Sequence, residues 1–323
     1  MRLPFFFLFW IGITSGFAQK SKLIVESNQI KDFSKYPFYK SVSSIPVTDD
    51  IPEWFSYIDS VEVFEITYLS DGLQVKGILV QPKKEGKYPC VIYNRGGNKE
   101  DGTVSVPRAL IQLGKLASSG YVVIASHYRG NLGGEGVEEF GGADVNDVTI
   151  LPKILAEIPR ADTSRIGMYG WSRGGMMTYL ALKEMTYLKA VVVGGALSDA
   201  FQNVSDRPEM EAYVFSKLVP DYWNNTEAEL TKRSAIKWAD QFPKDVPILM
   251  MHGTSDWRIK PEQSLRMALE FDKYRIPYRL IMFEGGDHGI WEHKERVNEE
   301  VLSWFDRFLK NGEALPDMEF HGR

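Results

Sequence analysis

Cysteine is nearly absent from this sequence. Cys90 is the single cysteine in 323 residues, so an intramolecular disulfide is excluded. Its place in an apolar strand pattern predicts a small buried side chain and not a nucleophile. Blocks of basic residues, acidic tails and internal repeats are also lacking, and the net charge is only −5. Because nucleic-acid binding proteins usually carry clustered basic residues, we expect no nucleic-acid partner.

Long apolar runs are lacking after the N-terminus. There, Arg2 precedes an apolar run over residues 3–13, and small residues lead to Ala18. A basic residue near the N-terminus, a short apolar run and small residues before a cleavage site are typical of a secretory signal peptide, here residues 1–18. The run is shorter than the roughly 20 residues of a membrane span, although an uncleaved anchor is the alternative. The residue directly after the cleavage site is Gln19 and not cysteine, so we expect a secreted or periplasmic protein without a lipid or other stable membrane anchor.

The segment that follows has no regular pattern. Pro37, Pro46 and Pro52 interrupt residues 19–58, and proline ends helices and strands. We therefore expect this segment to wrap around the outside of one domain that extends over residues 59–312. A short tail, residues 313–323, completes the chain.

Apolar strand patterns alternate with helical patterns through the domain. An alternating hairpin comes first, and short, wholly apolar strands follow it. Buried strands that alternate with helices predict a mostly parallel sheet with helices on both faces, an α/β fold. The predicted strands are 61–68, 73–81, 90–93, 121–126, 166–169, 190–194, 246–251 and 278–283, and the predicted helices are 108–117, 143–158, 175–182, 261–274 and 295–309.

One motif lies between a predicted strand and a predicted helix. Residues 170–174 read Gly-Trp-Ser-Arg-Gly, the Gly-x-Ser-x-Gly pattern of a nucleophile elbow. The elbow is a turn so sharp that only glycine on either side lets the strand and helix close against each other. The motif therefore predicts that Ser172 is an exposed nucleophile and that the domain has the α/β-hydrolase fold.

A serine hydroxyl needs a base, and the base needs an orienting acid. The elbow architecture places the acid and then the histidine on loops that follow later strands. His288 fits the base and Asp256 fits the acid, whereas Asp287 adjoins the histidine too closely to reach its ring. His252, Asp256 and His288 do not have a metal-binding spacing, so we expect neither a metal nor a cofactor.

Acyl transfer also needs donors for the developing oxyanion. The backbone N–H of Arg173, directly after the serine, is one candidate. The second is expected from the loop over residues 93–98, where Arg95 and Gly96 are the candidate residues.

An insertion over residues 197–245 interrupts the alternation of strands and helices. In this architecture an insertion at that point is expected to cover the nucleophile as a cap. Its aromatic residues either line a substrate pocket or pack against the domain. They include Tyr213, Tyr222, Trp223 and Trp238.

These motifs resemble the catalytic domain of the prolyl oligopeptidase family of serine hydrolases, in its dipeptidyl and acylaminoacyl peptidase branch. The similar stretches are residues 128–136, 142–147, 165–175, 252–256 and 287–289, within a resemblance that covers roughly residues 60–310. The resemblance implies the catalytic triad Ser172, Asp256 and His288. The sequence departs from the family in two ways: only about 40 residues take the place of a large β-propeller, and Arg95 replaces a common tyrosine or histidine.

The expected function is therefore that of a secreted serine-type peptidase that cleaves small peptides or aminoacyl amides through an acyl-enzyme. The alternative is a carboxylesterase that acts on small or carbohydrate-linked esters. A non-catalytic binding protein is a further class, against which the complete set of catalytic residues argues. Glu135, Glu138 and Glu139 are candidates to anchor a peptide terminus, with a solvated surface as their default role.

Overall fold

The structure, a computed structural model, describes residues 22–33, 36 and 53–322. The predicted signal peptide over residues 1–18 lies outside the described residues, as does most of the segment over residues 19–58. Among the residues that are described, no helix is long and apolar enough to cross a membrane.

A single sheet of nine strands forms the centre of the described chain. Its spatial order is β1-β2-β3-β5-β4-β6-β7-β8-β9. The first three strands pair antiparallel, and β4 to β9 pair parallel with one another. The strands are β1 Ile24–Ile30, β2 Val61–Ser70, β3 Leu73–Pro82, β4 Tyr88–Asn94, β5 Val122–Ser126, β6 Ala161–Trp171, β7 Ala190–Gly194, β8 Ile248–Gly253 and β9 Tyr278–Phe283.

The order of β5, β4 and β6 has a consequence for the site. The chain leaves β4, passes outward to β5, and returns across β4 to form β6. Loops after β4 and β6 consequently diverge at the same edge of the sheet, which is where open α/β sheets bind their ligands. The parallel sheet with its leading antiparallel hairpin confirms the predicted α/β-hydrolase fold.

Two of the predicted helices, over residues 108–117 and 143–158, are divided into shorter helices. The α-helices are α1 Val106–Gln112, α2 Gly114–Ser118, α3 Asn146–Thr149, α4 Leu151–Leu155, α5 Arg173–Leu182, α6 Ala200–Asp206, α7 Pro208–Met210, α8 Ser216–Leu218, α9 Thr226–Lys232, α10 Glu262–Tyr274 and α11 Lys294–Phe305. The predicted continuous helix over residues 143–158 is wrong. A 3-10 turn, Ala143–Val145, precedes α3, and Pro152 at the start of α4 has no N–H with which to continue α3.

Two apolar clusters cover the two faces of the sheet. Ile92 and Ile124 belong to one cluster, whereas their chain neighbours Val91 and Val123 belong to the other, as the alternation of side chains along a strand requires. Helices α5 and α10 cover the first face, and α1, α2 and α11 cover the second.

The insertion over residues 197–245 packs on the first face. Tyr222 and Trp238 are buried in the cluster that contains α5 and α10, so packing against the domain explains them. Tyr213 and Trp223 are instead exposed at the surface. The insertion therefore lies on the face opposite α1, α2 and α11.

Strand β1 was not predicted. Within the segment expected to wrap around the domain, Ile24–Ile30 pairs antiparallel with β2 and extends the sheet by one strand. Five consecutive residues of β1 are exposed, because an edge strand contacts the core with few of its side chains. A mostly polar strand of this kind has no alternating apolar pattern for a sequence reading to detect.

Candidate active site

Ser172 occupies the sharp turn between β6 and α5. Its backbone has φ +59° and ψ −123°, a strained conformation that bulky residues rarely adopt. The neighbouring glycines make the turn possible. A Cβ on Gly170 would lie 2.1 Å from the carbonyl oxygen of Gly174, and a Cβ on Gly174 would lie 1.9 Å from that of Asn94. The structure therefore has the geometry of a nucleophile elbow at Ser172.

Asp256 and His288 meet at the same edge of the sheet. Asp256 follows β8 and His288 follows β9, and Nδ1 of the histidine lies 2.7 Å from Oδ2 of the aspartate. The other carboxylate oxygen accepts the backbone N–H groups of Arg258 and Ile259. The aspartate is thereby fixed in an orientation that holds the imidazole of His288.

A second histidine contacts the same carboxylate. His252 is fully buried, and its Nε2 lies 3.1 Å from Oδ2 of Asp256 and 2.9 Å from the carbonyl oxygen of Ile259. With two acceptors at Nε2, this nitrogen carries the proton, and Nδ1 accepts from the Ser264 hydroxyl at 2.6 Å. Burial alone raises the pKa of Asp256, but hydrogen bonds from His252 and His288 outweigh burial and hold that pKa below its ordinary value.

Ser172 and His288 line one cavity of about 420 Å³. The indole Nε1 of Trp171 donates to the backbone carbonyl of His288 at 2.8 Å, which ties the histidine loop to the elbow. A Cβ on Gly195 would lie 3.3 Å from Nδ1 of His288. The backbone just after β7 therefore packs against the imidazole ring. No described residue that lines this cavity comes from residues 197–245.

Gly96 brings the loop after β4 to the serine. A Cβ at this position would lie 3.2 Å from the Cβ of Ser172 and 3.8 Å from its Oγ, so glycine permits the close approach. Arg173 is the first residue of α5, and its N–H has no intrahelical acceptor. Both predicted backbone donors therefore lie on elements that border Ser172.

The side chain of Arg95 does not face the cavity. Its guanidinium is 1% exposed and donates to the carbonyl oxygens of His127, Gly96, Asp101 and Lys99 at 2.8–3.2 Å. These contacts exclude its side chain as an oxyanion donor, because each of its nitrogens is already engaged with backbone. Arg95 instead shapes the loop that carries Gly96.

A buried ionic cluster joins this loop to the elbow. Nη1 of Arg173 contacts a carboxylate oxygen of Glu138 and the carbonyl oxygen of Gly97, both at 3.0 Å, and Nη2 contacts Asp144 at 2.5 Å. Arg95 lies 3.5 Å from Glu138. Burial raises the pKa of Glu138, but Arg173, the backbone N–H of Lys99 and Arg95 together outweigh burial and lower that pKa. Burial and the neighbouring Arg173 lower the pKa of Arg95 to about 10.

Comparison with known proteins identifies the family. The family model of the prolyl oligopeptidase family (peptidase S9) matches residues 111–312, more than half of the chain. The chain belongs to this family of serine-type peptidases. The resemblance to this family is thereby confirmed, and a dipeptidyl-peptidase is among the sequence relatives.

Two sequence relatives of the chain come from Bacillus subtilis. The uncharacterized peptidase YtmA is 32% identical over 253 residues, which are 78% of this chain and 94% of YtmA. The uncharacterized peptidase YuxL is 29% identical over 272 residues, and the match covers 39% of its length. The match to dipeptidyl-peptidase 5 of Porphyromonas gingivalis, at 26% identity, covers 34% of that protein. The chain thus spans less than half of these longer relatives.

Solved structures of family members have the same fold. A puromycin-hydrolyzing peptidase of Mycobacterium tuberculosis superposes with a TM-score of 0.65 at 25% identity, over 76% of this chain and 39% of the other. The acylaminoacyl peptidase of Pyrococcus horikoshii superposes with a TM-score of 0.68 at 23% identity, over 82% of this chain and 44% of the other. At 23% identity, the similarity to the acylaminoacyl peptidase shows a shared fold alone.

The three glutamates considered as peptide anchors have other contacts. Glu138 belongs to the ionic cluster, a carboxylate oxygen of Glu135 accepts the backbone N–H of Gln74, and one of Glu139 accepts that of Ala143. None of the three lines the cavity beside Ser172. In this family member they hold the Gly-rich loop in place.

Proposed function

We propose that the protein is a serine peptidase that cleaves small peptides or aminoacyl amides, with Ser172 as nucleophile, His288 as general base and Asp256 as orienting acid. One observation carries this proposal. A carboxylate-bound histidine, with Nδ1 2.7 Å from Asp256, shares a cavity with a serine on a strained elbow. Family membership supports the same chemistry.

The groups support a two-step acyl transfer. Oγ of Ser172 attacks the carbonyl carbon of the substrate while its proton passes to Nε2 of His288. Collapse of the tetrahedral intermediate breaks the amide C–N bond, and the leaving nitrogen takes that proton from His288. Water then attacks the acyl-enzyme with His288 again as base, which releases the acid and restores the Ser172 hydroxyl.

The developing oxyanion is assigned to two backbone donors. The N–H of Arg173 stands at the start of α5, where the helix dipole also favours negative charge. The N–H of Gly96 is the partner that the loop after β4 supplies, and the side chain of Arg95 holds that loop through its five hydrogen bonds to backbone carbonyls. Loss of one such donor costs an enzyme about 100–1,000-fold in kcat.

Carboxylester hydrolysis, of small or carbohydrate-linked esters, is the second candidate function. The observation that favours it is the engaged guanidinium of Arg95, since this side chain then gives the oxyanion no hydrogen bond. An ester needs less stabilisation of its tetrahedral intermediate than an amide because alkoxide leaves more readily than amine. The same triad serves both reactions.

Turnover of matched substrates separates the two functions. We would measure kcat/KM on aminoacyl anilides and on aryl esters with the same acyl group. A peptidase cleaves both at comparable rates, whereas ester turnover without detectable anilide cleavage would make the protein an esterase. Ser172→Ala is expected to lose both activities. Ser303→Ala, which removes an exposed serine on α11, is the matched control and keeps both.

We also propose that the protein is exported. Arg2, the apolar run over residues 3–13 and the small residues up to Ala18 support cleavage after residue 18. Expression of the full chain in a bacterial host, followed by fractionation and by mass measurement of the N-terminal peptide, tests this. A periplasmic or secreted product that begins at Gln19 is expected. A cytoplasmic product that retains residues 1–18 would contradict export.

A further inference from the structure

The cavity beside Ser172 extends along the loop that carries His288. Its lining residues include Trp171, Asp287, Gly289 and Trp291, which precede the serine or flank the histidine in the sequence. Because the histidine gives its proton to the leaving group, the leaving group lies on the histidine side of the serine. The cavity is therefore in the position to receive the part of the substrate that departs as the amine.

Part of the lining of this cavity is apolar. Tyr169 and Trp171 from β6, Leu116 from α2 and Val301 from α11 all contribute to it. A cavity of about 420 Å³ is within the range of small-molecule sites, which runs from about 300 to 1,000 Å³. Its size and lining fit one or two apolar residues.

Four cationic side chains line this cavity, of which Arg258 is exposed and lies 5.5 Å from the ring of Trp257. Arg108 on α1 and Lys294 at the start of α11 both line the cavity. Arg108 donates to the carbonyl oxygen of Thr103, and the ammonium of Lys294 lies 5.1 Å from the ring of Trp291. In the described part of the chain, neither cation forms an ion pair with a carboxylate. Lys115 in the same cavity differs, since it contacts Glu295 at 2.8 Å.

Lys294 has no evident structural role. A positive charge in the first turn of a helix opposes the helix dipole. Burial lowers the pKa of the Lys294 ammonium. The charge of Lys115 lowers this pKa further, whereas the charge of Glu295 raises it. A half-buried cation of this kind gains from a bound anion, because the anion replaces the solvation that burial removes.

The acidic residues of the cavity do not neutralise these cations. A carboxylate oxygen of Asp287 accepts two backbone N–H groups from the turn that follows it. Glu299 pairs with Arg296 at 3.6 Å, and the side chain of Asp101 is exposed. Four cationic and three acidic side chains line the cavity, so the net charge of its lining is positive.

We propose that this cavity binds a leaving group that is an amino acid with an apolar side chain and a free carboxylate, and that Lys294 and Arg108 bind that carboxylate. The proposal rests on the proposed peptidase function and names its substrate class: short peptides from which the C-terminal residue is released. The amide C–N bond breaks, the departing amine takes the proton from His288, and water later releases the acyl group.

The experiment compares acetyl-Ala-Leu, which has a free carboxylate, with acetyl-Ala-Leu-amide. We expect kcat/KM to be about tenfold or more higher for the acid, as for a hydrogen-bonded ion pair. Lys294→Met should reduce the acid-to-amide ratio severalfold, and Lys294→Met with Arg108→Met should bring it close to one. Lys273→Met, an exposed lysine on α10 paired with Glu270, is the charge control and should keep the ratio.

Inhibition separates failure of this proposal from failure of the proposed function. Both peptides are also tested as inhibitors of the hydrolysis of acetyl-alanine p-nitrophenyl ester. Stronger inhibition by the acid that is lost in the double variant supports the carboxylate site, whether or not the peptides are cleaved. Absence of cleavage of both peptides would refute only the proposed peptidase function. Equal turnover and equal inhibition by acid and amide, or a preference that survives in the double variant, would overturn the carboxylate site.

Discussion

Replacement of Arg173 by methionine is expected to destabilise the protein by about 3–5 kcal/mol. This is the range for removing one partner of a buried ion pair, because the other charge stays buried without compensation. The guanidinium is 2% exposed and contacts Glu138 at 3.0 Å and Asp144 at 2.5 Å. Methionine fills a similar volume without the charge. Glu138 then retains Arg95 at 3.5 Å, whereas the backbone N–H of Gly141 is the one contact that Asp144 retains among the described residues.

The uncompensated charge of Asp144 accounts for much of this loss. Arg173→Met combined with Asp144→Asn removes that charge, so the double variant should be more stable than the sum of the two single effects predicts. Coupling between contacting residues is typically about 0.5–3 kcal/mol. The loop that carries Gly97 also loses a hydrogen bond from Arg173, and kcat is expected to fall along with stability.

Urea denaturation followed by tryptophan fluorescence measures these free energies, provided that the slope with denaturant is unchanged. Arg296→Met is the matched control. Arg296 is 65% exposed and pairs with Glu299 and Glu300 at the surface, so its loss should cost less than about 1 kcal/mol. A loss at Arg173 as small as that of the control, or additive effects at Arg173 and Asp144, would refute the reasoning.

Three further substitutions address the elbow and the acid. Gly174→Ala places a Cβ 1.9 Å from the carbonyl oxygen of Asn94, so soluble yield and melting temperature should collapse, and a near-normal melting curve would contradict the elbow geometry. His252→Ala removes a hydrogen bond to the Asp256 carboxylate and should lower kcat about tenfold with little change in KM; a loss confined to KM would exclude this positioning role. The pKa of Asp256 is lowered in the folded state, so its ionised form stabilises the protein above about pH 4, the unfolded value, and this contribution is lost as pH falls below it. The difference in unfolding free energy between wild type and Asp256→Asn should therefore shrink between pH 5 and pH 3, and a constant difference would contradict it.

The parts of the site that follow strands were accessible from the sequence. Ser172, Asp256 and His288 lie one, three and five residues after the ends of β6, β8 and β9, respectively. Parallel strands bring their carboxyl ends to one edge, so residues far apart in the chain are predicted to meet there. The structure places Asp256 and His288 in contact and His288 in the same cavity as Ser172.

The ionic cluster could not be predicted from the sequence in this way. Arg95, Glu138, Asp144 and Arg173 lie in loops or at a helix start, where charged residues usually face solvent. Nothing in their spacing indicates that the Gly-rich loop folds over the elbow and buries all four. The contact between His252 and Asp256 was missed for a related reason: residues at i and i+4 outside a helix have no predictable distance.

The position of the insertion over residues 197–245 could not be predicted from the sequence, for a different reason. Its aromatic residues are equally consistent with a cap and with packing, because burial against a substrate or against the domain needs the same side chains. Trp238 stacks on Phe242 at 5.3 Å within the core on the face away from the cavity. Which face an insertion covers depends on the path of its loops, which the apolar pattern does not specify.

Covalent labelling with a fluorophosphonate tests the central claim, that Ser172 is a nucleophile activated by His288, most directly. Mass spectrometry of the digested protein is expected to find the adduct on the peptide that contains Ser172. Labelling should be absent in Ser172→Ala and much slower in His288→Ala, while Ser303→Ala should label at the wild-type rate. An adduct on a different residue, or labelling of Ser172 at an equal rate without His288, would contradict the account.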